Sequence, residues 1–209
     1  MKLMIRLAGL AAMVSVPALA QNQQPSPVDM QKAMEAMGKA LGAIQQQGGT
    51  KPVVDFREMK ALLPKELPGG LKGQLKGQKS GAMGMTIAEA EGHYGAENGD
   101  SSISIKLSDI SGTGGLGVMA HAAWASAEID NESDDGYEKS TTVGGFKALE
   151  KYNTKNKGGE LQVLVDSRFV VEVRGSNVKM EQIKSALDTV DLKKLAALKP
   201  ATATAPAPQ

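Results

Sequence analysis

The chain has 209 residues, with 24 lysines and arginines against 23 aspartates and glutamates, two histidines and no cysteine. So even a charge balance gives no bulk attraction to nucleic acid or to an anionic membrane surface. The missing thiols exclude thiol catalysis, thiolate zinc sites and iron–sulfur ligation, and leave core burial as the source of stability.

The first twenty residues have the layout of a secretory signal peptide. Lys2 and Arg6 form a cationic start, Leu7 to Val16 an apolar run, and Ala18-Leu19-Ala20 a small-x-small end. The run is too short to cross a bilayer as a helix. Cleavage after Ala20 is expected, with no integral membrane segment afterwards and no cysteine at the cut to carry a lipid. The expected location is the periplasm or the extracellular medium.

Residues 21–50 read as a polar linker followed by an amphipathic helix. Ser26-Pro27-Val28-Asp29 carries helix-start signals, and Met30, Met34, Met37, Leu41 and Ile44 fall on one stripe before Gly48-Gly49. An α+β domain is expected over residues 51–199, with a disordered Pro/Ala/Thr-rich tail over 200–209.

Within the domain, Asp55 caps a short helix that Pro64 stops, with Val54 and Met59 as a hydrophobic staple. Lys65 to Lys79 reads as a loop or an edge strand. From Ala82 to Tyr94 the period becomes two, with Ala88, Ala90 and Gly92 on a small face and Ile87, Glu89, Glu91 and His93 opposite. Asn98-Gly99 turns the chain into Ile103, Ile105 and Leu107.

A Gly-rich bend then opens an Ala-rich helix with Leu116, Ala120, Ala123, Trp124 and Ala127 on one side. This helix is expected to approach the small face of the preceding strand. Glu128 to Glu138 reads as an acidic loop. Strands at Lys139–Val143, Phe146–Tyr152, Leu161–Val165 and Phe169–Val173 follow. Two more helices close the domain, one started by Asn177 with Met180, Ile183, Leu187 and Val190 on its apolar face, the other by Asp191. The expectation is an antiparallel sheet of about five to six strands packed with helices, plus the helical N-terminal extension.

Several residue sets invite chemistry. Gly112-Thr113-Gly114-Gly115-Leu116-Gly117 matches G-x-G-x-x-G, yet the strand before it alternates like a half-exposed one and no buried strand follows the helix. It reads as a turn, not a dinucleotide site. Asp130, Glu132, Asp134 and Asp135 before Gly136 are weak Ca²⁺ candidates, since the glycine comes one residue late and no bidentate Glu is in register. Met83, Met85 and His93 raise a Cu(I) reading against plain core filling. His93 and His121 lack metal-ligand spacing. Asp109 and Asp166 stand at strand ends, as turn formers or as acids of a carboxylate-dependent hydrolase. Lys65, Lys72, Lys76 and Lys79 read as solvated, without the aromatic interleaving of a nucleic-acid surface.

Gly144-Gly145-Phe146-Lys147-Ala148, a hairpin, Arg168-Phe169-Val170-Val171-Glu172-Val173 and a closing amphipathic helix resemble the PsbP-like α/β/α arrangement over Tyr137 to Leu198. More directly, the chain resembles uncharacterised bacterial secreted proteins. The PsbP-like resemblance implies an antiparallel sheet between helices and an accessory or binding role. It transfers no site residues. The expectation is an exported accessory or binding protein of the bacterial envelope, without a cofactor, that meets an envelope protein or a small ligand. Hydrolysis and weak Ca²⁺ or Cu(I) binding are the alternatives.

Overall fold

The computed structural model describes residues 51–82, 84–95 and 99–200. The signal segment, the Met30–Ile44 stripe, Met83, Asn98 and the tail from Ala201 lie outside them. In chain order the elements are α1 (Phe56–Lys60), β1 (Glu66–Leu67), β2 (Leu71–Ala82), β3 (Met85–Gly95), β4 (Ser102–Asp109), a 3-10 turn (Ser111–Thr113), α2 (Leu116–Ser126), β5 (Asp130–Ser133), β6 (Gly136–Val143), β7 (Phe146–Asn153), β8 (Gly158–Val165), β9 (Phe169–Ser176), α3 (Met180–Asp188) and α4 (Leu192–Ala196).

The nine strands form one antiparallel sheet in the order β1-β2-β3-β4-β9-β8-β7-β6-β5. Two meanders build it. The first walks inward from one edge to β4. Helix α2 then carries the chain to the far edge, and the second meander walks back until β9 pairs with β4. Tight turns suit the meanders: Asp166 and Ser167 both hold positive φ between β8 and β9, as do Gly144 and Gly145 between β6 and β7.

The sheet is wider than the expected five to six strands because β1 and β5 are strands that propensity does not flag, and because Lys65 to Lys79, read as a loop or an edge strand, contains the strand β2. β1 is two residues long. β2 is rich in Lys, Gly and Gln, yet its glycines serve close packing. A Cβ at Gly73 would lie 2.4 Å from the Tyr94 ring, and one at Gly77 2.6 Å from Phe56. β5 lies inside the expected acidic loop, which is a hairpin: Ser133 pairs with Gly136, and Asp134-Asp135 is its turn.

One sheet face carries the core. Ile105, Leu107, Leu161, Val163, Phe169, Val171 and Val173 are buried there under Met59 of α1, Ile183 and Leu187 of α3, and Leu195 of α4. Asp55 accepts from the Arg57 N–H (2.8 Å) and Asp191 from the Lys194 N–H (2.9 Å), so both expected caps start their helices. Asn177 instead takes a positive φ, and Lys179 is the N-cap of α3.

Helix α2 lies on the other face, so the expectation that it meets the small face of β3 is corrected. That small face, Ala88, Ala90 and Gly92, is turned to the core, on the side where Phe56 of α1 covers Gly77. Val118, Trp124 and Ala125 of α2 pack instead on Ile110, Leu164 and Val170. Ala120 and Ala123, expected on the packed side, are exposed. Nine of the eleven residues are apolar or glycine, all but His121 and Ser126, so periodicity had no polar face to orient the helix.

Candidate functional site

Alternation fixes which side chains stand on the open face. Ile103, Ile105 and Leu107 face the core, so Ser102, Ser104, Lys106 and Ser108 face away. The pairing register extends each position across the sheet. One open-face row runs His93, Ser104, Arg174, Glu160, Lys151, Glu138 and Asn131. A second row, towards the strand ends, includes Ser102, Ser176, Gly158, Asn153, Gly136 and Ser133.

Between these rows lies a depression of about 770 Å³ that crosses the strands. Its floor includes bare backbone at Gly136 and Gly158, open-face positions without side chains. Its walls are hydroxyls, amides and charges. A second depression of about 640 Å³ adjoins it near the β1–β2 turn and shares His93 and Ser102 with it. Together they make a trough across the sheet, lined by polar residue types whose carbon atoms supply most of its surface. Helix α2 covers the other end of the same face.

The trough borders a ladder of charges. Lys76 Nζ is 3.0 Å from Glu91, His93 Nε2 2.6 Å from Glu91, and Lys106 Nζ 2.7 Å from Glu89. Arg174 Nε lies 3.0 Å from Glu172 and 3.4 Å from Glu160, and Lys151 Nζ lies 3.1 Å from Glu138. Burial pushes the Glu172 carboxyl above its usual range; Arg174 opposes this and the neighbouring Glu160 and Glu91 add to it. For Glu89, hydrogen bonds from Lys106 and Gln78 outweigh desolvation and hold the carboxyl low.

A raised folded pKa means that ionising Glu172 weakens the fold. The penalty is absent in acid and sets in as the pH rises from the ordinary 4.5 through the folded value. Glu172→Gln is therefore expected to melt about 2 °C higher than the native chain at pH 7 and to lose that advantage below pH 4.5. Thermal melts across that range check it; a variant less stable at pH 7 contradicts the assignment.

The residues singled out in the sequence do not converge. Asp109 is fully buried and committed: Oδ2 accepts from the Val54 N–H (2.8 Å) and Arg168 Nη2 (2.8 Å), and Oδ1 from Ser111 N (3.0 Å) and Ser111 Oγ (2.7 Å). Asp166 is exposed in the β8–β9 turn. His121 Nδ1 contacts the Gly117 carbonyl at 2.7 Å within its own helix. His93 is on the open face, eight residues along β3 from Met85 and so roughly 26 Å away.

Asp130 and Glu132 stand on one side of β5, paired in register with Lys139 and Tyr137, while Asp134 and Asp135 occupy the turn. All four are exposed, and Asp135 pairs with Lys155. Among the described residues no three His, Asp or Glu side chains gather at a metal-sized site. The G-x-G-x-x-G segment is used by packing: a Cβ at Gly112 would lie 2.3 Å from the Thr86 carbonyl oxygen, and Gly114 and Gly115 hold positive φ. The strand before it is antiparallel to both neighbours, and the strand after α2 lies at the far edge.

Sequence reasoning missed Arg174, Glu160, Glu172 and Glu150. The first three carry no local motif, and only the pairing of β8 with β9 brings them together. Glu150 had a signal: it shares a strand face with Phe146 and Ala148. It is buried, with the Tyr137 hydroxyl at 2.5 Å and Lys184 Nζ of α3 at 2.9 Å.

Among the described residues no helix is long and apolar enough to cross a membrane. No family model, no curated protein and no solved structure matches this chain.

Proposed function

We propose that the protein is an exported accessory or binding protein of the bacterial envelope, and that its open sheet face holds an elongated polar ligand or partner segment. One observation carries the reading. The trough crosses the strands with neutral hydrogen-bonding groups and both signs of charge along its walls, over a floor that includes bare backbone. Such a surface offers a linear polar chain donors and acceptors along its length. The opposite face is filled by α1, α3 and α4 and serves stability. Export is supported by the N-terminal layout alone, and an accessory role agrees with the PsbP-like resemblance of the C-terminal half.

Filling the trough tests it. Ser102 and Ser176 are exposed, so Ser102→Trp with Ser176→Trp is expected to shift stability by only about 0.5 kcal/mol per site. The double variant should lose the complex recovered from chemically crosslinked envelope fractions, whereas Lys193→Trp on α4 keeps it. Equal recovery from both proteins would remove the trough from the function.

A further inference from the structure

The long strand β2 is paired on one side only. β3 matches it from Gly73 to Ala82, whereas β1 covers only Leu71 and Lys72, and Lys65 adds a carbonyl to the Gly73 N–H at 2.8 Å. From residue 74 to 82 no described residue pairs with the outer edge. That edge is roughly 30 Å of chain with its outward N–H and C=O groups available.

We propose that this edge receives an extended acidic segment of a partner protein as a further antiparallel or parallel strand. Main-chain hydrogen bonds supply the affinity of such strand addition, and side chains flanking the edge supply its selectivity. Here β2 itself carries one sign of charge: its twelve residues hold the exposed Lys72, Lys76 and Lys79 and no carboxylate. The guanidinium of Arg57 stacks 4.5 Å over the Phe56 ring beside Gly77 and is itself paired with Asp55 at 3.4 Å, so it adds no net charge to the edge. The carboxylates around the edge lie off β2: Glu66 of β1 is in register with Lys72, Asp55 is close enough to Lys79 to feel its charge, and Glu91 and Glu89, one strand inward, are answered by Lys76 and Lys106.

Edge lysines also explain why a second copy is a poor occupant. β2 against β2 would set lysines of both copies along one seam, the usual device against edge-to-edge aggregation. A carboxylate-bearing strand turns the same lysines into attraction, so one charge pattern rejects self and admits an acidic partner. On the core side of the edge, Leu75 and Phe56 are half-buried and leave an apolar contact for alternate side chains of the incoming strand.

The test uses the full chain and three fluorescent decapeptides: alternating Glu and Val, alternating Lys and Val, and the Glu/Val peptide with every second Val replaced by Pro. Binding is expected for the Glu/Val peptide alone, weakening as salt rises. Hydrogen exchange should slow in residues 74–82. The exposed substitutions Lys72→Gln, Lys76→Gln and Lys79→Gln together should weaken binding about tenfold or more, with an unchanged melting temperature. Absence of Glu/Val binding, equal binding of the Lys/Val peptide, or protection in the trough instead of 74–82 would overturn the proposal. So would self-association of the free chain that protects 74–82, which would assign the edge to a second copy.

Discussion

Replacing Asp109 with alanine is expected to lower the unfolding free energy by about 3–5 kcal/mol, the range for breaking a buried ion pair from one side. Asp109 has no exposed surface, and its two oxygens accept five hydrogen bonds from three separate parts of the chain. Val54 leads into α1, Ser111 begins the 3-10 turn, and Arg168 ends the β8–β9 turn. Arg168 also donates to the Leu198 carbonyl at 3.1 Å, so the same knot holds the end of the domain. Alanine would strand the Val54 and Ser111 N–H groups and leave the guanidinium, only one-fifth exposed, without its counter-charge. Asp109→Asn keeps an acceptor in place and should cost less, about 1–3 kcal/mol for the weakened hydrogen bonds. Urea unfolding followed by circular dichroism and by the fluorescence of Trp124, the single tryptophan, measures both. A loss below 1 kcal/mol for the alanine variant would show that the knot does not bind these segments.

The second large effect is at Glu150. Its carboxylate is buried on the core face of β7 but held by the Tyr137 hydroxyl and by Lys184, with Lys139 4.0 Å away. Desolvation works against the charged form, and the Tyr137 and Lys184 hydrogen bonds outweigh it, so the carboxyl titrates below its ordinary 4.5. A depressed folded pKa contributes stability that is present above pH 4.5 and lost as the pH falls through the folded value. The same contact pushes the Tyr137 hydroxyl well above its usual range, through burial and then the neighbouring carboxylate. Glu150→Ala removes the partner of both groups and is expected to cost about 2–3 kcal/mol at pH 7. Glu150→Gln keeps the shape without the charge, so its deficit should shrink steadily as the pH drops below 4.5. A deficit that stays constant from pH 7 to pH 3 would mean that packing, not charge, fixes Glu150.

Strands with clear alternation were legible from residues alone. Ile103, Ile105 and Leu107 alternate against Ser104, Lys106 and Ser108, and that pattern places β4 and its two faces. The caps Asp55 and Asp191 and the apolar face of α3 were legible for the same local reason: each signal lies within one turn of the residue it governs. β5 was not legible, its four residues being exposed and polar, and β2 only as one of two alternatives, a loop or an edge strand, because its glycines are set by what packs on them. Gly73 and Gly77 make sense only once Tyr94 and Phe56 lie over them, contacts 21 residues apart in both cases. Helix α2 could not be oriented from its nearly uniform apolar sequence. The trough was hidden because its walls come from both meanders, and nothing local tells His93 or Arg174 that they share a face with Asn131.

Photocrosslinking in intact cells tests the central claim most directly. A benzophenone amino acid placed singly at Ser104, Asn131 and Ser176 samples the trough along its length, and one at Lys193 samples α4 on the other side of the molecule. The account predicts one common adduct from the three trough positions and none from position 193. Adducts from position 193 alone, or the same adducts from every position, would contradict the trough as the binding surface.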